Sequence, residues 1–330
     1  MPPRHLVLPL RDAARNLAAE EALFRTLPPG HPGFFLLWRN EPAVIVGRHQ
    51  CVPDEVDTAR AAAEGVPVVR RITGGGAVCH DAGTLCFSWL GNDTGMGPAF
   101  GPLLAPVAQA LADVGVTARL TGRNDLEAQG RKLSGSAQFR SGGRLLVHGT
   151  LLVSADLSRL GRLLTPPAEK RRAHGVASVR GRVANVADFW GPGTTMDDLE
   201  AALLTRCAPE AAEKPAGFDA MAELLAQRKY RNPEWNLGAL PPAARSLRRR
   251  FPWGTVELRL ELRDGRIRNA RVTGDFFSDL GMEVLEQRLD GSPAGAVRAA
   301  LENLPWERLF LGCEPAAIRE FFLCAVGGDT

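Results

Sequence analysis

The hydrophobic pattern of residues 1–240 alternates between helical spacing and short apolar runs, which is typical of a mixed α/β domain. Apolar residues at helical spacing behind Asp12, a favourable N-cap residue, predict a helix over residues 12–27. Short apolar runs predict strands, and longer amphipathic stretches predict further helices. The predicted strands are 34–38, 43–46, 66–69, 85–90, 132–139 and 144–153, and the further helices are 54–64, 102–114, 156–164, 168–174, 196–207 and 218–227.

The pattern changes after residues 235–242, which we interpret as a linker. Beyond it, residues 254–262 and 266–274 alternate apolar and charged side chains around Asp264-Gly265, which strongly indicates a hairpin. Helical spacing then returns to the end of the chain. The helices predicted there are 279–289, 293–304 and 315–326.

The length of 330 residues also favours about two domains, on a prior of roughly 100 to 200 residues each. We therefore predict an α/β (α+β) chain with a large domain over residues 1–240 and a small α+β domain over residues 245–330. Hydrophobic residues make up 45% and charged residues 23%, as in globular proteins. No apolar run is long enough to span a membrane and no secretion signal is recognisable, so we expect a cytoplasmic protein without a membrane partner.

Charge and cysteine content exclude several classes of site. The net charge of +3 is too small to indicate nucleic acid binding. The six cysteines are scattered without a CxxC pair and mostly lie in apolar runs, so neither a disulfide framework nor a zinc site is expected. Of the 40 basic residues only four are lysines, namely Lys132, Lys170, Lys214 and Lys229. Where arginine is the default, a retained lysine raises the question of whether its position requires a compact ammonium. We expect arginine at Lys214 and Lys229 to leave activity nearly unchanged.

The segment 68–80, VVRRITGGGAVCH, places three glycines between two predicted strands. Residues 74–76 lack a Cβ, so the backbone can take left-handed φ values and turn successive N–H groups toward one anion. Arg70 and Arg71 add guanidinium groups that suit carboxylate or phosphate oxygens. The alternative is a tight turn or a bulge without a ligand.

Residues 122–153, GRNDLEAQGRKLSGSAQFRSGGRLLVHGTLLV, form a second block, in which Gly142-Gly143 predicts the turn of a hairpin. Residues 130–136 are not a P-loop, because Lys132 stands two residues after Gly130 and the Gly-Lys-Ser/Thr ending is missing. Polar groups in strands otherwise fit for a core indicate a binding site, and the alternative is a glycine-rich surface hairpin. These polar residues are Asn124, Asp125, Lys132, Ser134, Ser136 and His148.

The chain resembles the lipoate-protein ligase A family, relatives of biotin protein ligases and octanoyltransferases, over nearly its whole length. The segments that carry the resemblance stand in family order and are NLAAEEALF, LLWRNEPAVIVGRHQ, RRITGGGAVCHDAGT, GRNDLEAQGRKLSGSAQ, HGTLLVSADLSRL, SVRGRVANV and RRFPWGTVEL. The resemblance implies a mixed-sheet catalytic domain of the biotin/lipoate protein ligase type over residues 1–240. It also implies a C-terminal accessory domain over residues 245–330.

The resemblance further implies a two-step reaction with ATP and lipoate as substrates and Mg²⁺ as cofactor. Lipoate and ATP would form lipoyl-AMP and pyrophosphate, and the ε-amine of an acceptor lysine would then attack the mixed anhydride. The implied acceptors are apo lipoyl domains in the E2 subunits of 2-oxoacid dehydrogenases and the glycine cleavage H protein. No nucleic acid partner is expected.

The resemblance assigns roles to individual residues. Lys132 would be catalytic, touching the lipoyl carbonyl and the phosphate oxygens, and Asp125 would bind Mg²⁺. An Asn-Asp pair is also good turn chemistry. For His80 and His148, a hydrogen-bonded structural role is as expected as a catalytic one. The implied ATP and adenylate contacts are Arg71, Gly76, Ala77, Val78, Cys79, Asn124, Asp125, Lys132, Ser178 and Val179. The implied lipoate contacts are Arg71, Gly74, Gly75, Gly76, Lys132, Ser136, His148 and Gly149.

Three alternatives stay open at the level of sequence. An octanoyltransferase or amidotransferase of the same fold would carry the acyl chain on a cysteine and need no ATP, but SVRGRVANV contains no cysteine. A lipoyltransferase that has lost the activation step is the second alternative. The third is a noncatalytic lipoate sensor or a biotin-repressor-like DNA binder, although no helix-turn-helix pattern precedes the first helix.

Overall fold

The computed structural model describes residues 2–93, 95, 100–122, 124–165, 182–238 and 245–327. Its contacts divide the chain into two units. The first unit comprises Met1–Val46, Val52–Arg71 and Ala77–Leu237, and the second comprises Gly47–Cys51, Ile72–Gly76 and Gly238–Thr330. Two short stretches from the N-terminal part thus group with the C-terminal residues.

The first unit contains ten strands within the described residues and a set of mostly short helices. The strands are β1 (Arg4–Val7), β2 (Phe34–Arg39), β3 (Ala43–Val46), β4 (Val68–Arg70), β5 (Val78–His80), β6 (Thr84–Asn92), β7 (Arg119–Thr121), β8 (Asp125–Ala128), β9 (Arg131–Ser141) and β10 (Arg144–Leu152). The helices are α1 (Ala13–Thr26), α2 (Val52–Glu55), α3 (Thr58–Ala63), α4 (Phe100–Asp113), α5 (Leu157–Leu163), α6 (Met196–Cys207), α7 (Phe218–Leu225) and α8 (Pro233–Leu237), with a 3₁₀ turn at Val186–Asp188 and a π-helical turn at Ala226–Tyr230.

Two sheets organise the first unit. The larger has the order β1-β2-β6-β10-β9-β8-β7, in which only β1 and β2 pair in parallel. The smaller has the order β4-β3-β5, with β4 parallel and β5 antiparallel to β3. The long β9–β10 hairpin therefore lies in the middle of the large sheet, where its strands are paired on both sides.

Helix α1 begins where the sequence predicts, because the Asp12 carboxylate accepts a hydrogen bond from the N–H of Arg15 at 2.9 Å. Leu17, Leu23 and Phe24 are buried on the inner side of this helix. Three polar side chains of α1 are buried as well, namely Asn16, Glu20 and Glu21. A helix that buries charges needs partners for them, and those partners come from the large sheet and from the end of the unit.

The C-terminal part of the second unit is a three-stranded antiparallel sheet covered by short helices. The strands are β11 (Arg245–Phe251), β12 (Gly254–Arg263) and β13 (Arg266–Gly274), and the helices are α9 (Glu283–Leu289), α10 (Val297–Ala300), α11 (Trp306–Leu309) and α12 (Pro315–Gly327), with a 3₁₀ turn at Ala294–Ala296. Alternate residues of β12, such as Val256 and Leu258, are buried in a core with Phe310, Phe321 and Phe322. This arrangement is the small α+β fold that the sequence predicts.

Most predicted elements are confirmed, including the helix 196–207 and the strand 266–274 with their predicted bounds. The single helix predicted over 54–64 is wrong, since α2 and α3 are separate short helices. The linker expected at 235–242 is wrong at its start, which lies inside α8. The helix expected at 168–174 lies outside the described residues. Sequence patterns missed the strands β1, β7, β8 and β11.

Candidate active site

A β-bulge in β9 turns Lys132 toward Asp125. Asp125 lies opposite Gly135 where β8 pairs with β9. Leu126 lies opposite Ser134, and the register then shifts, so that Glu127 lies opposite Lys132 and Leu133 is the extra residue. Side chains of a regular strand alternate between its faces, so positions 132 and 135 of a regular strand would face opposite sides of the sheet. The extra residue removes this alternation, and Nζ of Lys132 lies 2.9 Å from Oδ2 of Asp125.

The backbone of Lys132 is bound by the end of the segment SVRGRVANV. Its N–H donates to the carbonyl of Arg182 at 2.8 Å, and its carbonyl accepts from the N–H of Ala184 at 3.0 Å. Val183 thereby forms a parallel bridge with Lys132. The lysine backbone is paired on both sides, while its side chain keeps 38% of its exposure. A fixed backbone with an accessible ammonium suits a group that must meet a substrate.

For Asn124 and Asp125 the sequence left open a role in a turn or in ligand binding. The structure gives the first to Asn124, whereas Asp125 has a carboxylate oxygen available for a ligand. Nδ2 of Asn124 donates to the carbonyl of Ser136 at 2.5 Å, and the N–H of Ser136 donates to the Asn124 carbonyl at 2.9 Å. The Asn124 side chain therefore fixes the chain at the start of β8. Asp125 uses Oδ2 for Lys132, and its Oδ1 is buried without a hydrogen-bond partner among the described residues. An ion or ligand would satisfy this oxygen.

Ser136 and Gly149 lie opposite each other in the β9–β10 pairing. A Cβ on Gly149 would come within 2.6 Å of Oγ of Ser136 and 2.5 Å of the ring of Phe87, so only glycine fits there. Within the described part of the chain, the Ser136 hydroxyl is buried without a hydrogen-bond partner. A buried hydroxyl without a partner costs about 1 to 3 kcal/mol, so a ligand that bonds to it would gain stability.

His148 is bound to Glu20, a residue that the sequence interpretation did not select. Nδ1 of His148 lies 2.9 and 3.0 Å from the two carboxylate oxygens of Glu20. The hydroxyl of Ser88 donates to the same carboxylate at 2.5 Å, and Nε1 of Trp38 donates to Ser88 at 3.1 Å. The signal that could have found Glu20 is a glutamate in NLAAEEALF on a helix face that must be buried.

Arg71 follows β4 and is buried. Its N–H donates to the carbonyl of Val46 at 3.0 Å, and Nη1 donates to the carbonyl of Ile45 at 3.3 Å. Burial lowers the pKa of Arg71 to about 10, against the opposing effect of the Glu20 carboxylate. The guanidinium remains charged at neutral pH and lies within electrostatic reach of Glu20 and His80.

His80 is buried and hydrogen-bonded, as a structural histidine would be. Its Nδ1 accepts a hydrogen bond from Nδ2 of Asn40 at 2.9 Å, so a neutral ring carries its proton on Nε2. Burial, together with the positive charge of Arg71, lowers the pKa of His80 to about 3. A ring with so low a pKa stays neutral throughout the physiological range and is a weak proton acceptor at pH 7.

Ala77, Val78 and Cys79 lead into and along β5, which is an edge of the small sheet as the structure describes it. Val78 pairs with Ile45 of β3 on one side. Alternate N–H and C=O groups of an edge strand face away from the sheet and can bind a ligand. Burial raises the pKa of the Cys79 thiol to about 12, so this side chain belongs to the core.

The glycines of GGG have a packing role that sequence analysis missed. Gly75 has a φ of +93° and donates its N–H to the carbonyl of Phe276 at 3.3 Å. A Cβ on Gly74 would overlap this carbonyl, whereas one on Gly76 would meet nothing within 4 Å. The ring of His49 stacks on Phe276, with centroids 4.9 Å apart. Within the second unit, two of the three glycines thus allow the backbone of residue 276 to approach closely.

The site residues named from sequence therefore fall into defined groups. In the first unit, Lys132 and Asp125 form one group, Ser136 and Gly149 a second, and His148 and Arg71 lie around Glu20 in a third. Ser178 and Val179 lie outside the described residues. Among the residues that the structure describes, no three His, Cys, Asp or Glu side chains are close enough to hold a metal ion. None of the described helices is both long and apolar enough to cross a membrane.

Two models of known protein families match this chain. The lipoyl protein ligase A/B catalytic domain model matches residues 12–208, and the bacterial lipoate protein ligase C-terminus model matches residues 241–322. The chain belongs to the lipoyl protein ligase A/B family. The expected family and the ligase class are thereby confirmed.

Similar members of this ligase family cover most of the chain. Lipoate-protein ligase LplJ of Bacillus subtilis is 34% identical over 291 residues, which cover 86% of this chain and 87% of the relative. Lipoate-protein ligase 1 of Staphylococcus aureus is 34% identical over 287 residues, with the same coverage. The resemblance thus extends over both matched regions of the ligase.

Solved structures confirm the expected fold class of this ligase. A bi-partite lipoate protein ligase of Thermoplasma acidophilum, described with its E2 lipoyl domain, matches with a TM-score of 0.66 and 31% identity, over 74% of this chain and 99% of the other. A lipoate-protein ligase A bound with ATP matches with a TM-score of 0.64 and 30% identity, over 73% and 100%. LipL1 of P. falciparum in complex with lipoate shares the fold over 97% of this chain and 99% of its own, with a TM-score of 0.77 and 22% identity.

Proposed function

We propose that this ligase activates lipoate with ATP to give lipoyl-AMP and pyrophosphate, and then transfers the lipoyl group to a lysine of an acceptor protein. The observation that carries the proposal is the Lys132 ammonium, which a bulge directs and Asp125 holds at 2.9 Å in the GRKLSGSA motif. A cation that is fixed before the substrates bind stabilises developing charge without a reorganisation cost during reaction.

In the activation step a lipoate carboxylate oxygen attacks the α-phosphorus of ATP, and the bond from that phosphorus to pyrophosphate breaks. Both reactants are anions and repel each other, so the step requires positive charge where they meet. Lys132 supplies it from the strand, and Arg71 supplies a second cation with fork geometry. No proton transfer by the protein is needed, because the carboxylate already carries its charge at neutral pH.

The nucleotide is proposed to lie along the edge strand β5. Gly76, Ala77, Val78 and Cys79 would bind it through backbone groups, a proposal that the edge position of β5 and the burial of the Cys79 side chain support. Asn124 would contribute by fixing the start of β8 rather than by direct contact, since its amide is engaged with Ser136. Ser178 and Val179 are proposed contacts on the resemblance alone.

Lipoate is proposed to run along the β9–β10 pairing. The buried Ser136 hydroxyl offers a hydrogen bond, and Gly149 leaves backbone without a side chain beside it. His148, oriented by Glu20, would contact the same substrate. Gly74, Gly75 and Gly76 are proposed lipoate contacts on the motif alone.

Mg²⁺ is compatible with the residues around Asp125. The ion usually binds through one or two carboxylates, with nucleotide phosphates and water completing its octahedral shell. Oδ1 of Asp125 is buried without a hydrogen-bond partner in the described part of the chain and would supply one such oxygen. When bound, Mg²⁺ would neutralise phosphate charge.

The transfer step ends in an amide bond to the acceptor lysine and release of AMP. The proposed acceptors are apo lipoyl domains of E2 subunits and the glycine cleavage H protein, and the similar Thermoplasma ligase described with its E2 lipoyl domain supports the first class. The cytoplasm, which holds ATP, is the proposed location.

The deciding experiment measures pyrophosphate release from purified protein with lipoate and ATP, and lipoylation of an apo lipoyl domain by intact mass. We expect pyrophosphate only when lipoate is present, and a mass increase of one lipoyl group on the acceptor. Acceptor modification from an octanoyl carrier protein without ATP would instead assign a transferase. Modification from preformed lipoyl-AMP, without pyrophosphate release from ATP, would assign a transfer-only enzyme.

A further inference from the structure

The Lys132 ammonium lies directly over a position of β9 that carries no side chain. A Cβ built on Gly135 would lie 3.0 Å from Nζ and 3.1 Å from Cε of Lys132, and 3.6 Å from Oδ1 of Asp125. Ordinary contacts of a Cβ begin at about 3.4 Å, so the ammonium occupies space that any side chain at 135 would claim. The bulge at Leu133 creates this overlap, because it brings residues 132 and 135 to one face.

The backbone does not require glycine at this position. Gly135 is absent from the residues with positive φ, so alanine can adopt its conformation without strain. Glycine inside a strand also costs conformational entropy relative to alanine, roughly 0.5 to 1 kcal/mol. Backbone conformation and entropy by themselves would therefore favour alanine over glycine at position 135. The close approach to Lys132 is the contact in the structure that argues for glycine.

We propose that Gly135 is a positioning residue, whose missing side chain determines where the Lys132 ammonium stands beside Asp125. The inference rests on the proposed function, in which this ammonium bridges the lipoate carboxylate and the α-phosphate. A Cβ at 135 would move Nζ by a few tenths of an ångström from its place beside Asp125. A misplacement of about 1 Å can cost on the order of a hundredfold in rate, so a displacement of a few tenths should cost several-fold in the chemical step.

The displacement should leave the fold intact. The atoms that would meet the new Cβ within 3.4 Å are the far end of a flexible side chain, which can turn without moving the backbone. The pairing of Gly135 with Asp125 and Thr150 uses only main-chain groups. Gly135→Ala therefore separates the position of the ammonium from the stability of the strand.

The test compares Gly135→Ala with Gly91→Ala in the full-length protein. Gly91 also lies in a strand of the large sheet, lacks a positive φ, and has open space around its Cβ position. The measurements are the thermal unfolding midpoint, and kcat and KM for lipoate-dependent pyrophosphate release. We expect Gly135→Ala to lower kcat several-fold with a midpoint at or above that of the wild type. Gly91→Ala should change neither kcat nor KM.

Lys132→Ala, measured in the same assay, separates the proposed role of the lysine from the positioning role of Gly135. If Lys132→Ala is inactive while Gly135→Ala keeps the wild-type kcat, the positioning role is wrong and the role of the lysine stands. If Lys132→Ala keeps its activity, the proposed role of the lysine fails, and the positioning role fails with it. A loss of activity in Gly135→Ala that is matched by a fall in the unfolding midpoint would show a structural role instead.

Discussion

Both carboxylate oxygens of Glu21 accept hydrogen bonds from the Lys229 ammonium, at 2.9 and 2.8 Å. The hydroxyl of Tyr230 donates to the same carboxylate at 2.5 Å, and Arg25 pairs with it as well. Burial raises the pKa of Glu21, but Lys229, Tyr230 and Arg25 together hold it below its usual value. This buried group joins α1 to the π-helical turn. The expectation that arginine at Lys229 leaves pyrophosphate release nearly unchanged stays a prediction, but these contacts predict a cost in stability.

Lys229→Arg is predicted to destabilise the protein by about 1 to 3 kcal/mol, because a larger planar guanidinium must enter a packed site. The ammonium also lies 4.1 Å from the centroid of the Trp235 ring, which leaves little room. Urea unfolding measures the change. Lys214→Arg is the matched control, since Lys214 pairs with Asp219 at the surface and should shift stability by less than about 0.5 kcal/mol. Equal stability of the two variants would refute the prediction.

Lys132→Arg and Lys132→Ala should both abolish lipoate-dependent pyrophosphate release. A compact ammonium can lie between oxygens of two reacting groups, whereas a guanidinium is larger and imposes its own fork geometry. Loss of one such contact typically costs roughly 3 to 4 kcal/mol of transition-state stabilisation, which is a factor of a few hundred or more in rate. Lys214→Arg should retain the wild-type rate. A Lys132→Arg rate within a few-fold of the wild type would contradict the proposed role.

Activity should not depend on a thiol. Burial raises the pKa of Cys79 and Cys207 to about 12 and that of Cys313 to about 11, and it raises the pKa of Cys86 well above its usual value. Because the thiolate is the reactive form, these side chains should resist alkylation at pH 7.5. Native protein treated with iodoacetamide should be labelled at the exposed Cys324 and keep most of its activity.

The control is protein alkylated in denaturant, which should take up six labels. Accumulation of an acyl thioester on any one cysteine, or loss of activity with the labelling of a single buried cysteine, would favour the transferase mechanism.

The buried histidine should make stability depend on pH. The pKa of His80 is lowered from 6.5 to about 3, so the folded protein binds this proton more weakly than the unfolded chain. Stability is therefore fully present above about pH 6.5 and is lost as the pH falls toward 3. At pH 5 the loss from this group should be about 2 kcal/mol relative to pH 7.

His80→Asn keeps an acceptor for Asn40 and cannot take up the proton. Urea unfolding at pH 7 and pH 5 should show a smaller fall in stability for this variant than for the wild type. All other titrating groups are common to both proteins, so the difference isolates His80. An identical fall in the two proteins would show that the ring is not held neutral.

Removal of the C-terminal residues should affect activation more than transfer. We expect residues 1–240 to fold alone, and the division near residue 240 stays a prediction. The stretches Gly47–Cys51 and Ile72–Gly76 group with the second unit, where Gly75 and His49 both contact Phe276. The truncated protein would lose these contacts. It should use preformed lipoyl-AMP but release little pyrophosphate from ATP and lipoate, and equal losses in both assays with an intact fold would contradict this division of labour.

Local sequence determined much of this protein. The Asp12 cap and the apolar spacing after it specified α1, and Gly142-Gly143 between two strand patterns specified the β9–β10 hairpin. Seven segments in family order, among them RRITGGGAVCHDAGT and GRNDLEAQGRKLSGSAQ, indicated the family. These features depend on residues that are close in the chain, where capping, turn chemistry and periodicity act directly.

The tertiary structure decided what those residues contact. The bulge that directs Lys132 arises from the register between β8 and β9, which depends on pairing across strands and cannot be seen in either strand alone. Glu20 became part of the site only when folding buried α1 beside His148, because a buried carboxylate must find partners that are distant in sequence. At position 74 only glycine fits, because a Cβ there would overlap the carbonyl of Phe276, about two hundred residues further along the chain.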